Sequence, residues 1–176
     1  MRSQLAAESW AFALAVYAGP GVAEACLTLQ NEAGVDVMLL MMATFAAVKH
    51  RILLTPDEIR ELDTSCRPWR EQIVRRLRAI RTELKTGPAP APNGTTEQFR
   101  TQVKALELQA EKIQNQLLAE CLPLRQMQKE PVRPDQLRGV LIDLAMYFAG
   151  QRGTKLDASL SSSIEVIVEA AMRDAS

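Results

Sequence analysis

The 176-residue chain balances 21 Lys+Arg against 21 Asp+Glu, with 47% hydrophobic and 24% charged residues. That balance excludes a disordered polyelectrolyte and removes any global field drawing in nucleic acid or anionic lipid, so an electrostatic function must rest on local asymmetry. The length suits one sizeable core and predicts a single helical domain over 1–176.

The first helix is predicted from just after Ser3, with Trp10, Leu14 and Tyr17 spaced i, i+4, i+7, and Gly19 as its stop. Pro20 restarts the chain into a helix reaching Ala33, with Val22, Cys26 and Leu29 on one face and Gly34 closing it. Asp36 is the N-cap of a third helix, Val37 to Arg51, whose VMLLMMATFAAV run is apolar nearly all round, the pattern of a helix surrounded by others. That run is shorter than the ~20 residues a bilayer span needs, and the N-terminus meets Glu8 before any signal-like apolar stretch. Cys26, Cys66 and Cys121 are scattered and odd in number, which suits a reducing cytoplasm and argues against a disulfide framework or a zinc site. A cytoplasmic protein without a transmembrane segment is therefore expected.

Thr55-Pro56-Asp57-Glu58 carries a capping box with Pro at N1, opening a fourth helix expected to end before Pro68. Pro68 then opens a basic helix whose apolar seam is Trp69, Ile73, Leu77, Ile80 and Leu84. Between Arg67 and Lys85 seven basic residues face two acids, Glu71 and Glu83. Gly87 ends this helix, and a flexible Pro/Gly-rich connector at 87–94 follows. Thr95 with Gln98 reads as a second capping box for a long helix to Leu122, with Phe99, Val103, Leu106, Ala110, Ile113 and Leu117 at alternating spacings of four and three. The two seams predict a coiled-coil-like αα-hairpin over 68–122, its arms roughly 28 Å and 40 Å long. Whether the seam is satisfied within the hairpin or by another chain, as a homo-oligomer, is open at this level. The stretch Leu122 to Val132 is ambiguous. Two further helices carry Leu137, Leu141, Leu144 and Phe148, and, from Asp157, Leu160, Ile164, Ile167 and Ala171, the last region leaning acidic. The fold class is all-α, an antiparallel helical bundle with a long αα-hairpin.

No combination of residues specifies a catalytic set, a cofactor site or a metal site. One histidine and dispersed cysteines do not complete a zinc site by local spacing, and Gly19-Pro20-Gly21 lacks the pattern and preceding strand of a phosphate loop. The sequence thus leads to a non-enzymatic interaction or adaptor module using the basic helix, with Trp69, Arg70, Arg75, Arg78 and Arg81 meeting an acidic protein partner through guanidinium–carboxylate pairing. One alternative is a small-ligand or enzymatic pocket among the N-terminal helices using Tyr17, Asp36 and His50, with Cys26 nearby. Another is nucleic-acid binding through the arginine band, disfavoured by zero net charge and the absence of a recognisable helix-turn-helix, zinc-finger or RNP motif. For each residue a structural role competes: Asp36 as a cap, His50 against the negative end of its helix, Trp69 as the start of a seam.

The runs Trp10 to Tyr17 (WAFALAVY), Pro20 to Val22 (PGV), Ala25 to Gln30 (ACLTLQ) and Gly34 to Leu40 (GVDVMLL), together with W-R-x-x-[IV]-V-x-x-L-R at Trp69 to Arg78, resemble an uncharacterised family of small proteobacterial proteins catalogued as a domain of unknown function. The likeness covers the first half of the chain and, weakly, the long helix after the connector. It implies an all-helical, bacterial, cytoplasmic protein and transfers no functional residue. In the family pattern an asparagine commonly follows the Asp-Val pair, where this chain has Met38; a polar site built on that asparagine would be absent here, which weighs against an enzyme.

Overall fold

The computed structural model describes residues 2–125 and 129–173, so part of the ambiguous Leu122 to Val132 stretch lies outside the described residues. The described chain is helical with no strand: α1 Arg2–Tyr17, α2 Val22–Thr28 continued by a π-helical turn Leu29–Ala33, α3 Val37–His50, α4 Pro56–Trp69, a second π turn Arg70–Val74, α5 Arg75–Glu83, α6 Gly94–Cys121, α7 Pro134–Arg152 and α8 Ala158–Arg173. None of these helices is by itself long and apolar enough to cross a membrane.

Helix α3 runs through the centre. Every side chain from Met38 to Ala47 is buried, because α1, α6 and α7 each pack against it. Its ends are fixed locally: the Asp36 carboxylate accepts from the amides of Met38 (2.9 Å) and Leu39 (3.3 Å), and Arg51 closes the helix in the left-handed conformation.

The buried stripe of α1 differs from the expected one. Leu14 and Tyr17 are exposed, and the inward face is Leu5, Ala6, Ser9, Phe12, Ala13 and Val16. Two specific contacts override the larger side chains: Phe12 packs on Phe45 (5.6 Å between ring centroids), and Asn115 of α6 donates to the Ala6 carbonyl (2.8 Å) while accepting from Ser9. Small residues let α1 approach α6 closely, so the stripe richest in bulk is left outside.

The chain does not break before Pro68. Residue 68 sits inside α4, and the widened turn Arg70–Val74 carries the same rod into α5. A proline removes one intrahelical donor and crowds the preceding turn, and a π bulge is one way a helix continues through that disturbance. The N-cap of α6 also lies two residues earlier than expected: Asn93, not Thr95, caps the helix, in a reciprocal box with Thr96 (2.8 and 2.9 Å). The Thr55–Glu58 box is present, as are the predicted inward faces of α2, α7 and α8.

Candidate functional site

The rod α4–π–α5 packs antiparallel to α6, with Cys66 near Gln114, Trp69 on Ala110 and Arg81 on Glu107. Its arginines divide into an inner and an outer group.

The inner group is a charged cluster in the core. Asp63 stands in the buried stripe of α4 with Ile59, Leu62 and Cys66, and Arg70 lies seven residues on, delivered to the same side by the π turn. The Arg70 Nη1 pairs with Asp36 (2.8 Å) and Asp63 (2.5 Å), and its Nε with Glu71 (3.0 Å). Gln114 of α6 donates to Asp36 (2.5 Å), the Tyr147 hydroxyl of α7 donates to Asp63 (2.8 Å), and Arg67 caps both Asp63 and Tyr147. The guanidinium also lies 5.5 Å from the centre of the Phe148 ring. Among the described residues no buried side-chain polar atom lacks a partner. Burial pushes the Asp63 carboxyl up, but hydrogen bonds from Arg67 and Arg70 outweigh it and hold the group below the usual carboxylate range. Burial works against the Arg70 charge, and Asp36 and Asp63 more than restore it. The thiols of Cys26 and Cys66 are pushed up to about 12 by burial and are poor nucleophiles at neutral pH. The cluster joins α3, α4, α6 and α7; Arg70, Asp36 and Asp63 at its centre are buried, while Arg67 and Glu71 at its edge are partly exposed.

The outer group lines a groove between the rod and the first helices. One stretch of about 770 Å³ is bounded by Tyr17, Leu27 and Gln30 on one wall and by Arg78, Arg81, Lys85, Lys104 and Leu108 on the other. A contiguous stretch of about 660 Å³ adds Arg75, Glu83 and Arg152. Arg152 is placed there by Gly34, whose positive φ closes the π turn; a Cβ at that position would lie 2.4 Å from the Arg152 Nε, and the guanidinium donates to the Asn31 carbonyl (3.0 Å). Arg78 pairs with Glu107 (2.8 Å) and Glu111 (2.6 Å), Arg81 also pairs with Glu107, and Arg75 pairs with Glu71 (2.8 Å). Burial raises Glu107 less than Arg81 and Arg78 lower it, whereas Glu111 is raised because desolvation prevails. Burial, with Cys26 and Glu111 nearby, holds the Tyr17 phenol protonated beyond its ordinary range. Lys85 and Lys104 make no ion pair among the described residues. Across both stretches six basic side chains face Glu83, Glu107 and Glu111.

Of the expected interaction residues, Arg75, Arg78 and Arg81 therefore meet in one groove. Arg70 is 5% exposed inside the core, and Trp69 is half-buried with its indole N–H on the Ala110 carbonyl (2.9 Å). Tyr17, Asp36 and His50 do not converge. Asp36 caps one end of α3 and His50 ends the other, about 21 Å away at 1.5 Å per residue. His50 meets Phe45 edge to face (4.9 Å between centroids) and lines a separate shallow cavity with Phe12 and Lys49, while Tyr17 lines the basic groove.

Asp63, Glu107, Gln114 and Tyr147 escaped the sequence reading, although a signal existed for three of them. Asp63, Glu107 and Gln114 each stand in register with an apolar stripe, a place where a charged or amide side chain needs a buried partner. Tyr147, next to the inward-facing Phe148, carried none.

One family model, described as a protein of unknown function (DUF2390), matches residues 8–118. No curated protein and no solved structure matches the chain.

Proposed function

The chain belongs to that family, a premise that brings no activity with it, and we propose that it is a non-enzymatic interaction module receiving an acidic segment of a protein partner in the groove between α5–α6 and the α2 turn. The observation that carries this reading is the groove's surplus of cations, with Lys85 and Lys104 left without carboxylate partners beside the exposed apolar side chains of Leu27 and Leu108. Acidic side chains would complete the pairing, and the apolar wall would hold the segment's hydrophobic residues. Arg75, Arg78 and Arg81 contribute to this surface; Arg70 and Trp69 support the rod from inside. Free thiols at Cys26, Cys66 and Cys121 suit a reducing cytoplasm.

A fluorescein-labelled peptide of repeated Glu-Glu-Leu-Glu, titrated with the full chain and followed by anisotropy, tests the groove. Saturable binding is expected, weakened roughly tenfold or more by Lys85→Glu with Lys104→Glu, a change of about 1.4 kcal/mol or more. These lysines are chosen because reversing Arg78 would set three carboxylates together. Absence of saturable binding, or an unchanged affinity in the variant, overturns the reading. Tighter binding of a single-stranded oligonucleotide of equal charge, with a steep salt dependence, would replace it with nucleic-acid recognition.

A further inference from the structure

The flank of the α5–α6 pair facing away from the groove carries a second surface. Val74 and Arg81 point toward α6, and Ile73 and Ile80 each precede one of them by one residue. On α6, Leu106 and Ile113 likewise precede the inward-facing Glu107 and Gln114, and Phe99 continues their seven-residue repeat. With 100° per residue and antiparallel axes, all five fall on the same side of the pair. They are 37–52% exposed, although the expected seam ran through them. The hairpin buries only the other half of that seam, with Val103 and Ala110 inside.

We infer that this flank is the interface of a homodimer, in which two α5–α6 pairs meet as an antiparallel four-helix layer about a two-fold axis. The spacing and charge of the flank select a second copy of this chain. An axis crossing at Ile80 and Leu106 sets each of these against its own copy and places Phe99 close to the partner's Ile113. It also brings Arg76 opposite the partner's Glu83, because the two residues lie symmetrically about Ile80 to within one position. Arg76 and Glu83 are exposed and make no ion pair among the described residues; Glu83, about 60° around the helix from Ile80, stands at the edge where this flank meets the groove it also borders, so each chain supplies both halves of two symmetric pairs along that edge. Gln102 and Gln109, between the apolar residues of α6, are neutral and raise no like-charge conflict. Self-complementarity of this kind is what an isologous contact requires. The five apolar side chains expose on the order of 400 Å², comparable to the largest apolar patch of a typical monomer. With their polar neighbours they approach the ~800 Å² per partner of a standard interface.

Sedimentation equilibrium of the full chain over a micromolar dilution series tests this, independently of peptide binding in the groove. The expected species has twice the 19.5 kDa chain mass. Ile80→Glu with Leu106→Glu is expected to weaken dimerisation by at least about a hundredfold, since each change acts twice across the axis. Arg76→Glu alone should weaken it roughly tenfold, and Arg76→Glu with Glu83→Arg should restore it. A monomeric wild type, or a dimer indifferent to the apolar substitutions while helical circular dichroism is retained, overturns the proposal. If the apolar variant loses its helical signal, the charge exchange decides: restoration supports the two-fold contact, and two additive losses overturn it.

Discussion

Arg70 and Arg78 lie eight residues apart on one helical rod, Arg70 pairing with three carboxylates and Arg78 with two, and burial gives them different work. The Arg70 side chain is 6% exposed between Asp63 of its own rod and Asp36 at the head of α3; that of Arg78 is 28% exposed and leans over a groove. A desolvated ion cluster fixes relative helix positions because every alternative arrangement strands a charge. A half-solvated pair exchanges partners at little cost, because water and incoming carboxylates compete for the same donors. Charge count along a helix therefore says less about recognition than the solvent access of each guanidinium.

The largest expected effect breaks the inner arrangement. Arg70→Met leaves Asp36 buried without its cation and Asp63 with Arg67 alone, and should lower stability by about 3–5 kcal/mol in urea unfolding. A loss comparable to that of a surface arginine would mean that inner and outer arginines do not differ in kind.

Next is the pH response. The folded-state pKa of Asp63 lies below its unfolded value, so its contribution is fully present above the unfolded carboxylate range, near pH 4, and is lost as pH falls through the lowered folded value. Asp63→Asn should cost roughly 1–3 kcal/mol at neutral pH and flatten the fall in stability between about pH 5 and the acid limit. Denaturant midpoints across that window check it, and an undiminished acid slope would place the responsible carboxylate elsewhere.

The smallest change sharpens the outer half of the comparison. Glu107→Gln should cost only about 1 kcal/mol, because Arg78 retains Glu111 and Arg81 retains water. The same substitution frees Arg81 and leaves Arg78 one carboxylate fewer, and should tighten binding of the acidic peptide. An unaltered affinity would remove Arg78 and Arg81 from the receiving surface and leave it to Lys85 and Lys104.

The sequence by itself determined the all-helical class, the central position of α3, the Asp36 and Thr55 caps and the inward faces of α2, α7 and α8. These follow from local rules: apolar period, N-cap oxygen acceptors and glycine stops act within a few residues of one another. Tertiary structure decided which stripe of α1 turns inward, because Ser9 and Phe12 find Asn115 and Phe45 more than 30 residues away. It also decided that Pro68 sits within a continuous rod, since the π turn that carries the helix past it is held by Arg70 inside the core. At the candidate site, the sequence located the arginines and left their partners unnamed. A carboxylate 29 residues away on an antiparallel helix, such as Glu107, becomes a neighbour of Arg78 only when the pair closes, and that long-range pairing separates a structural arginine from one facing solvent.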